Sequence, residues 1–269
     1  MFEKIASLQN PKIKNILKLQ KASERREQNL CTIEGIRELK TAVAGGFKIK
    51  QFFFCPEIAD DSINLWLKEV EIDSVSIFEI TKHVFERIAY RDSTEGIYAI
   101  VEQKTTKLQD IKLGKKPLVL VIESVEKPGN LGAILRTSDA AGLDALLICN
   151  PHTDIFNPNV IRSSIGAVFV NQVAACRSED AILWLKEKGI RSFAAALGGK
   201  SFYHEANFNS PSAIIMGTES IGLSKIWLEA CDEQVLIPML GKMDSLNVST
   251  SAAILVFEAM RQRGFKIEK

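Results

Sequence analysis

Histidine is scarce in this chain, and its three copies (His83, His152 and His204) lie far apart. The five cysteines (Cys31, Cys55, Cys149, Cys176 and Cys231) form no C-x-x-C pair. That spacing argues against a metal site and against a disulfide framework, and it suits a reducing cytoplasm. No apolar run approaches the roughly 20 residues that a membrane span needs. The opening stretch "MFEKIASLQNPKIK" has no apolar core of signal-peptide length, so a soluble, cytoplasmic protein with no membrane partner is expected. One sign of charge is not in excess either. Thirty-four Lys and Arg against 33 Asp and Glu leave a formal net charge of +1, so no overall basic field advertises nucleic acid. Internal repeats and low-complexity tracts are missing as well.

What is present is ordinary globular composition, 46% hydrophobic and 25% charged, over 269 residues. That is enough for one large domain or two smaller ones. Residues 1–28 carry seven bases against three acids, a local net of +4. Lys14, Arg25 and Arg26 belong to this stretch. It reads either as a solvated amphipathic helix or as an RNA-facing arm.

Alternating patterns organise the first hundred residues. Helical periodicity over about 10–28, opened by Asn10–Pro11, leads to the strand "LCTIEG". A helix over Glu34–Ala44 closes at Gly45–Gly46, and "IKQFFFC" is a buried strand. A helix around Ser62–Val70, the strand "VSIFEI", a helix over Lys82–Ala89 and the strand "GIYAIVE" complete a small α/β domain, residues 1–103. The polar, lysine-rich stretch 104–116 is a linker, with helical character in its middle.

A second alternation fills residues 117–269. "PLVLVIE" is continuously apolar, as in a strand covered on both faces of a parallel sheet. Helix Asn130–Ala141, "DALLIC", a helix in "NPNVIRSSIGAVF", "VNQVAA" and helix Ser178–Lys188 follow. Three more strands, "RSFAAAL", "SAIIMG" and "EQVLIP", precede the closing helix Ser249–Arg263. About six strands with intervening helices predict a doubly wound parallel sheet, in which ligands sit at the carboxyl ends of the strands.

Three of those strand ends are chemically unusual. In "ESVEKPGNLGAILRTSDAAG", Asn130 is placed to cap the helix, and Arg136 lies six positions further on. In "IIMGTESIGLS", Gly217 permits close backbone approach and Glu219 can accept a proton or hydrogen bond. No G-x-G-x-x-G follows the strand "PLVLVIE", which disfavours a dinucleotide-binding oxidoreductase. In "IPMLGKMDSLNVSTSAA", Ser245, Asn247, Ser249 and Thr250 supply more polar groups than one helix cap needs. If its strand neighbours that of Gly217, the two loops can hold an adenosine, with Ile237 and Leu246 on the base.

Together these stretches resemble the SpoU (TrmH-like) class of the SPOUT RNA ribose 2′-O-methyltransferases. N-x-G-x-x-x-R-T appears as Asn130 to Thr137, G-x-E-x-x-G-L-S as Gly217 to Ser224, and I-P-M-x-G-x-x-x-S-L-N-V-S as Ile237 to Ser249. The N-terminal stretch with Glu34–Gly35 looks like an L30e-like substrate-binding domain. The resemblance implies an α/β fold whose C-terminal domain carries a deep trefoil knot, and S-adenosylmethionine as cofactor. By the same resemblance, Gly217, Ile237, Met239, Gly241 and Leu246 hold the cofactor. Arg136, Asn130, Glu219, Asn247 and Ser249 serve catalysis. Arg162 reads either as a contact to an RNA phosphate or as a surface helix residue, and Arg25, Arg26 and Lys14 are the RNA-facing candidates of the basic N-terminal stretch. A homodimer acting on RNA, first 23S ribosomal RNA and then tRNA, is expected, with no DNA partner. A non-catalytic RNA-binding protein of the same fold is the alternative, and the intact motif set argues against it.

Overall fold

The computed structural model describes residues 2–60, 75–90, 95–218 and 221–265. The predicted helix around Ser62–Val70 and the candidate Glu219 lie outside the described residues. The chain divides into two compact units, residues 1–104 with 154–170, and residues 105–153 with 171–269. The segment Asp154–Val170 therefore belongs with the N-terminal unit, although the sequence boundary at 117 put it in the C-terminal domain. Among the described residues no helix is long and apolar enough to cross a membrane.

In the first unit, β1 (Glu3–Ile5), β2 (Leu30–Glu34), β3 (Ile49–Phe54), β4 (Ser76–Ile80) and β5 (Ile97–Glu102) form one sheet. Its order is β1-β4-β3-β5-β2. β1 and β3 run parallel to β4, while β5 runs antiparallel to β2 and β3. Ile13, Ile16 and Leu19 pack with Phe53, Phe78, Val84, Phe85 and Tyr98 into its core. The helices are α1 (Pro11–Lys18), α2 (Ala22–Gln28), α3 (Ile36–Ala44), α4 (Lys82–Ile88) and, from the later segment, α6 (Pro158–Ser163).

The single helix expected over 10–28 is thus two helices. Arg25 explains the break. Its side chain is 1% exposed. Nη1 donates to Leu19 O and Gln20 O, each at 2.8 Å, and Nε donates to Asp154 Oδ2 at 2.7 Å. The carbonyls released where α1 ends are satisfied by this guanidinium. Arg25 is therefore a buried tie, not an RNA-facing base.

In the second unit, β6 (Leu118–Glu123), β7 (Ala145–Cys149), β8 (Val173–Cys176), β9 (Arg191–Ala195), β10 (Ser201–Phe202), β11 (Ser212–Met216) and β12 (Glu233–Leu236) make a seven-stranded sheet. All its pairings are parallel, in the order β10-β12-β9-β11-β6-β7-β8. The two-residue β10 escaped the sequence pattern. β6, β7 and β11 are buried along their whole length. Val119 and Val121 face α7 (Ser178–Glu187) and α8 (Lys225–Ala230), packing with Trp184 and Trp227. Strand alternation turns Leu120 and Ile122 to the other face. There α9 (Val248–Gln262) packs on α5 (Pro128–Ala141) and β11.

Candidate active site

The strand order reverses between β6 and β11, since β7 and β8 lie on one side of β6 and β11, β9, β12 and β10 on the other. Such a switch point opens a crevice at the carboxyl ends of the strands. A cavity of about 120 Å³ lies there, lined by Ile122, Val125, Glu126, Lys127, Gly217, Thr218 and Val248. It is smaller than the roughly 300–1,000 Å³ of a full ligand pocket, so it accommodates one end of a ligand.

β11 and β12 are not neighbours, contrary to the condition set above; β9 lies between them. At about 4.8 Å per strand, the Gly217 and Ile237 loops spring from points roughly 10 Å apart on the same end of the sheet. That spacing suits two loops that bracket a flat group instead of touching each other.

Gly217 meets its own loop. A Cβ at this position would lie 2.1 Å from Gly222 O and 2.4 Å from Leu223 N. The close approach that glycine permits is therefore internal, where Thr218 bridges Gly222 and Gly222 N donates to Thr218 O at 2.9 Å. In the other loop Ile237 and Met239 are half-buried, while Gly241 and Leu246 are exposed. Leu240 is 97% exposed. These apolar side chains and irregular backbone fit an adenosyl group, which needs apolar contact on its faces and main-chain partners at its edge.

Three candidates come together at the start of α9. Asn247 is its N-cap, and Oδ1 accepts from Ser249 N at 2.9 Å and from Ser249 Oγ at 2.6 Å. Asn247 Nδ2 donates to Asn130 Oδ1 at 3.2 Å. Asn130 itself does not cap α5: the helix begins at Pro128, and its N-cap is Lys127, without a side-chain cap bond. Asn130 sits one turn inside, where its amide reaches α9. Ser245, the other candidate for capping α9, bonds Asp244 instead.

Arg136 stands apart. Six residues past Asn130, it lies about 9 Å along the axis and a third of a turn round. Its side chain is exposed and makes no hydrogen bond or ion pair with a described residue.

Sequence reasoning missed a buried polar cluster beside these loops. Glu123, at the end of β6, accepts from Ser178 Oγ at 2.8 Å, Ser224 N at 2.8 Å and Ser224 Oγ at 2.7 Å. An acid closing a run of apolar residues was the available signal. Next to it, Cys149 and Cys176 place their sulfurs 3.8 Å apart. Their hydrogen bond raises the Cys149 pKa, with burial adding to the effect, and lowers that of Cys176 against burial.

In the first unit Arg26 and Lys14 are exposed on α2 and α1. Arg162 is half-buried on α6, with its guanidinium 5.9 Å from the Tyr90 ring.

Residues 117–257 match the profile of the family described as SpoU rRNA Methylase, and residues 10–99 that of an MRM3-like substrate binding domain. The chain is 29% identical over 256 residues to the 23S rRNA (guanosine(2553)-2′-O)-methyltransferase RlmP of Bacillus subtilis, covering 95% of this chain and 98% of that protein. It is 32% identical to the 23S rRNA (guanosine-2′-O-)-methyltransferase RlmB of Vibrio parahaemolyticus, covering 76% of this chain and 85% of that one. The solved structure of an AdoMet-bound rRNA methyltransferase from Sinorhizobium meliloti is similar at a TM-score of 0.89 and 29% identity, covering 97% of this chain and 98% of that one.

Proposed function

The chain belongs to the SpoU rRNA methylase family, whose fold characteristically contains a trefoil knot, and from that premise we propose that it methylates a ribose 2′-hydroxyl of 23S ribosomal RNA with S-adenosylmethionine. One observation carries the reading. The Gly217 loop, the Ile237 loop and the bonded set Asn130–Asn247–Ser249 all occupy the carboxyl end of one parallel sheet, at or near its switch point.

S-adenosylmethionine supplies a methyl group already activated on a sulfonium, so the chain's task is placement and proton management. Gly217, Ile237, Met239, Gly241 and Leu246 hold the adenosyl end. A guanidinium is effectively always charged, so it is unsuited to act as a base, and Arg136 serves in another way. Its guanidinium donates to the ribose 2′-oxygen, aligns it, and offsets the charge that builds as the proton leaves to a neighbouring phosphate oxygen. Asn130, Asn247 and Ser249 orient the acceptor, with Glu219 as a further partner.

Residues 1–103, with the segment Asp154–Val170 that belongs to their unit, hold the RNA through Arg162, Arg26 and Lys14, residues 104–116 link, and the rest of residues 117–269 carries out transfer. A homodimer completes the site: Arg136 lies away from Asn130 on an exposed helix face, and Phe257 of α9 is 42% exposed. The five free cysteines suit work in the cytoplasm.

The test is transfer of a radiolabelled methyl from S-adenosylmethionine to separated RNA from cells lacking the protein. Label is expected in 23S RNA with the wild type and none with Arg136→Ala, which still binds the donor. Label in tRNA would replace the substrate, and an active Arg136→Ala protein would remove the role of that residue.

A further inference from the structure

Glu123 ends β6 at 4% exposure, after five apolar residues. A carboxylate is costly to bury unless donors surround it. Here two hydroxyls and one backbone N–H do so, and their arrangement is fixed. Trp227 Nε1 and Asn150 Nδ2 each donate to Ser178 Oγ at 3.0 Å. With both acceptor positions of that hydroxyl filled, its one proton goes to Glu123.

The second hydroxyl belongs to Ser224, 101 residues away in sequence. Ser224 is the N-cap of α8, yet its side chain makes no cap bond. A serine there ordinarily accepts from the first helical turn. This one instead turns its hydroxyl and its own N–H to Glu123. Local helix stability is forgone for a long-range clamp.

The clamp holds the base of the loop from Gly217 to Ser224. That loop is closed on itself by the Thr218–Gly222 bridge and by Ile221 N donating to Thr218 Oγ1 at 3.2 Å. It is rooted at β11 upstream and at Ser224 downstream. Glu123 is also flanked in sequence by further residues of the cavity: Ile122 before it and Val125 to Lys127 after it line the same cavity as Gly217 and Thr218. Between them Ser124 adopts a left-handed φ of 55°, turning the chain while the Glu123 side chain stays below.

We infer that Glu123 is a positioning residue that fixes the 217–224 loop against the β6–α5 segment and so sets the shape of the methyl-donor site. The inference rests on the donor site proposed above. It acts through Ser224 and touches neither donor nor acceptor.

Glu123→Gln keeps the size but puts an amide group where only acceptors fit. Two readouts test it, both well below the melting temperature. Without donor, amide exchange across 217–224 is expected to rise about tenfold or more, the loss of one hydrogen bond to a charged group. With donor, S-adenosylmethionine affinity is expected to fall about tenfold while KM for RNA holds. Ser224→Ala is expected to match both changes, and the double variant to be no worse than either single one. If Glu123→Gln does not fold, Ser224→Ala carries both readouts alone. Unchanged loop exchange, or affinity that falls only in proportion to the unfolded fraction, would overturn the inference. A wild-type protein that binds no S-adenosylmethionine would overturn the donor site instead, while exchange measured without donor still decides whether Glu123 holds the loop.

Discussion

Asn247 Nδ2 donates to Asn130 Oδ1 across 3.2 Å, joining the cap of α9 to the first turns of α5 over 117 residues of sequence. One side chain thus has two tasks. Its oxygen caps a helix, and its nitrogen ties that helix to the candidate acceptor site.

Those tasks separate on substitution. Asn247→Ala is expected to cost about 0.5–2 kcal/mol through the lost cap, read by urea unfolding. Asn247→Ser keeps a capping oxygen but is too short to reach Asn130. Its stability is expected to stay within a few tenths of a kcal/mol of wild type, with methyl transfer reduced about tenfold or more. Full transfer by Asn247→Ser would make the residue a cap alone.

Arg25 gives the second prediction. Removing one partner of a fully buried ion pair costs about 3–5 kcal/mol; Asp154 is 19% exposed, so Arg25→Met is expected at or below that range, while it also strands the carbonyls of Leu19 and Gln20. Arg26→Ala and Lys14→Ala, on the surface, are expected to change stability by less than about 0.5 kcal/mol. They should weaken RNA binding and flatten its dependence on salt. Urea melts and salt-titrated binding distinguish the two groups.

Glu38, on α3, gives a pH prediction. Burial pushes its carboxyl above the ordinary 4.5, Glu95 adds to the rise, and its own backbone N–H, Arg37 and Arg162 oppose it. A raised carboxyl binds its proton more tightly in the folded chain than in the unfolded one. Stability is therefore full below the ordinary value and falls as pH climbs through the folded value. Glu38→Gln removes that fall. It should be more stable than wild type at neutral pH and no different well below pH 4.5, as measured by denaturant midpoints.

Much of this was legible in the sequence because the relevant forces are local. The continuous apolar runs of β6, β7 and β11 and the cap at Asn247 depend on neighbours within a few residues. Strand order does not. Nothing near Met216 or Val235 records that β9 separates their strands, so the adjacency of the two loops stood only as a condition, which the fold does not meet. Arg25 shows the same limit: its charge is written locally, but its burial depends on Asp154, 129 residues away. Ser224 looks like a cap by position, and only the folded chain shows its hydroxyl turned to Glu123.

The most direct measurement is a nucleotide-resolution map of ribose 2′-O-methylation in ribosomal RNA from cells lacking this protein. The account predicts that a 23S nucleotide loses its resistance to alkaline cleavage and regains it when the wild-type chain, but not Arg136→Ala, is restored. A map in which every 23S 2′-O-methyl group persists without the protein would contradict it.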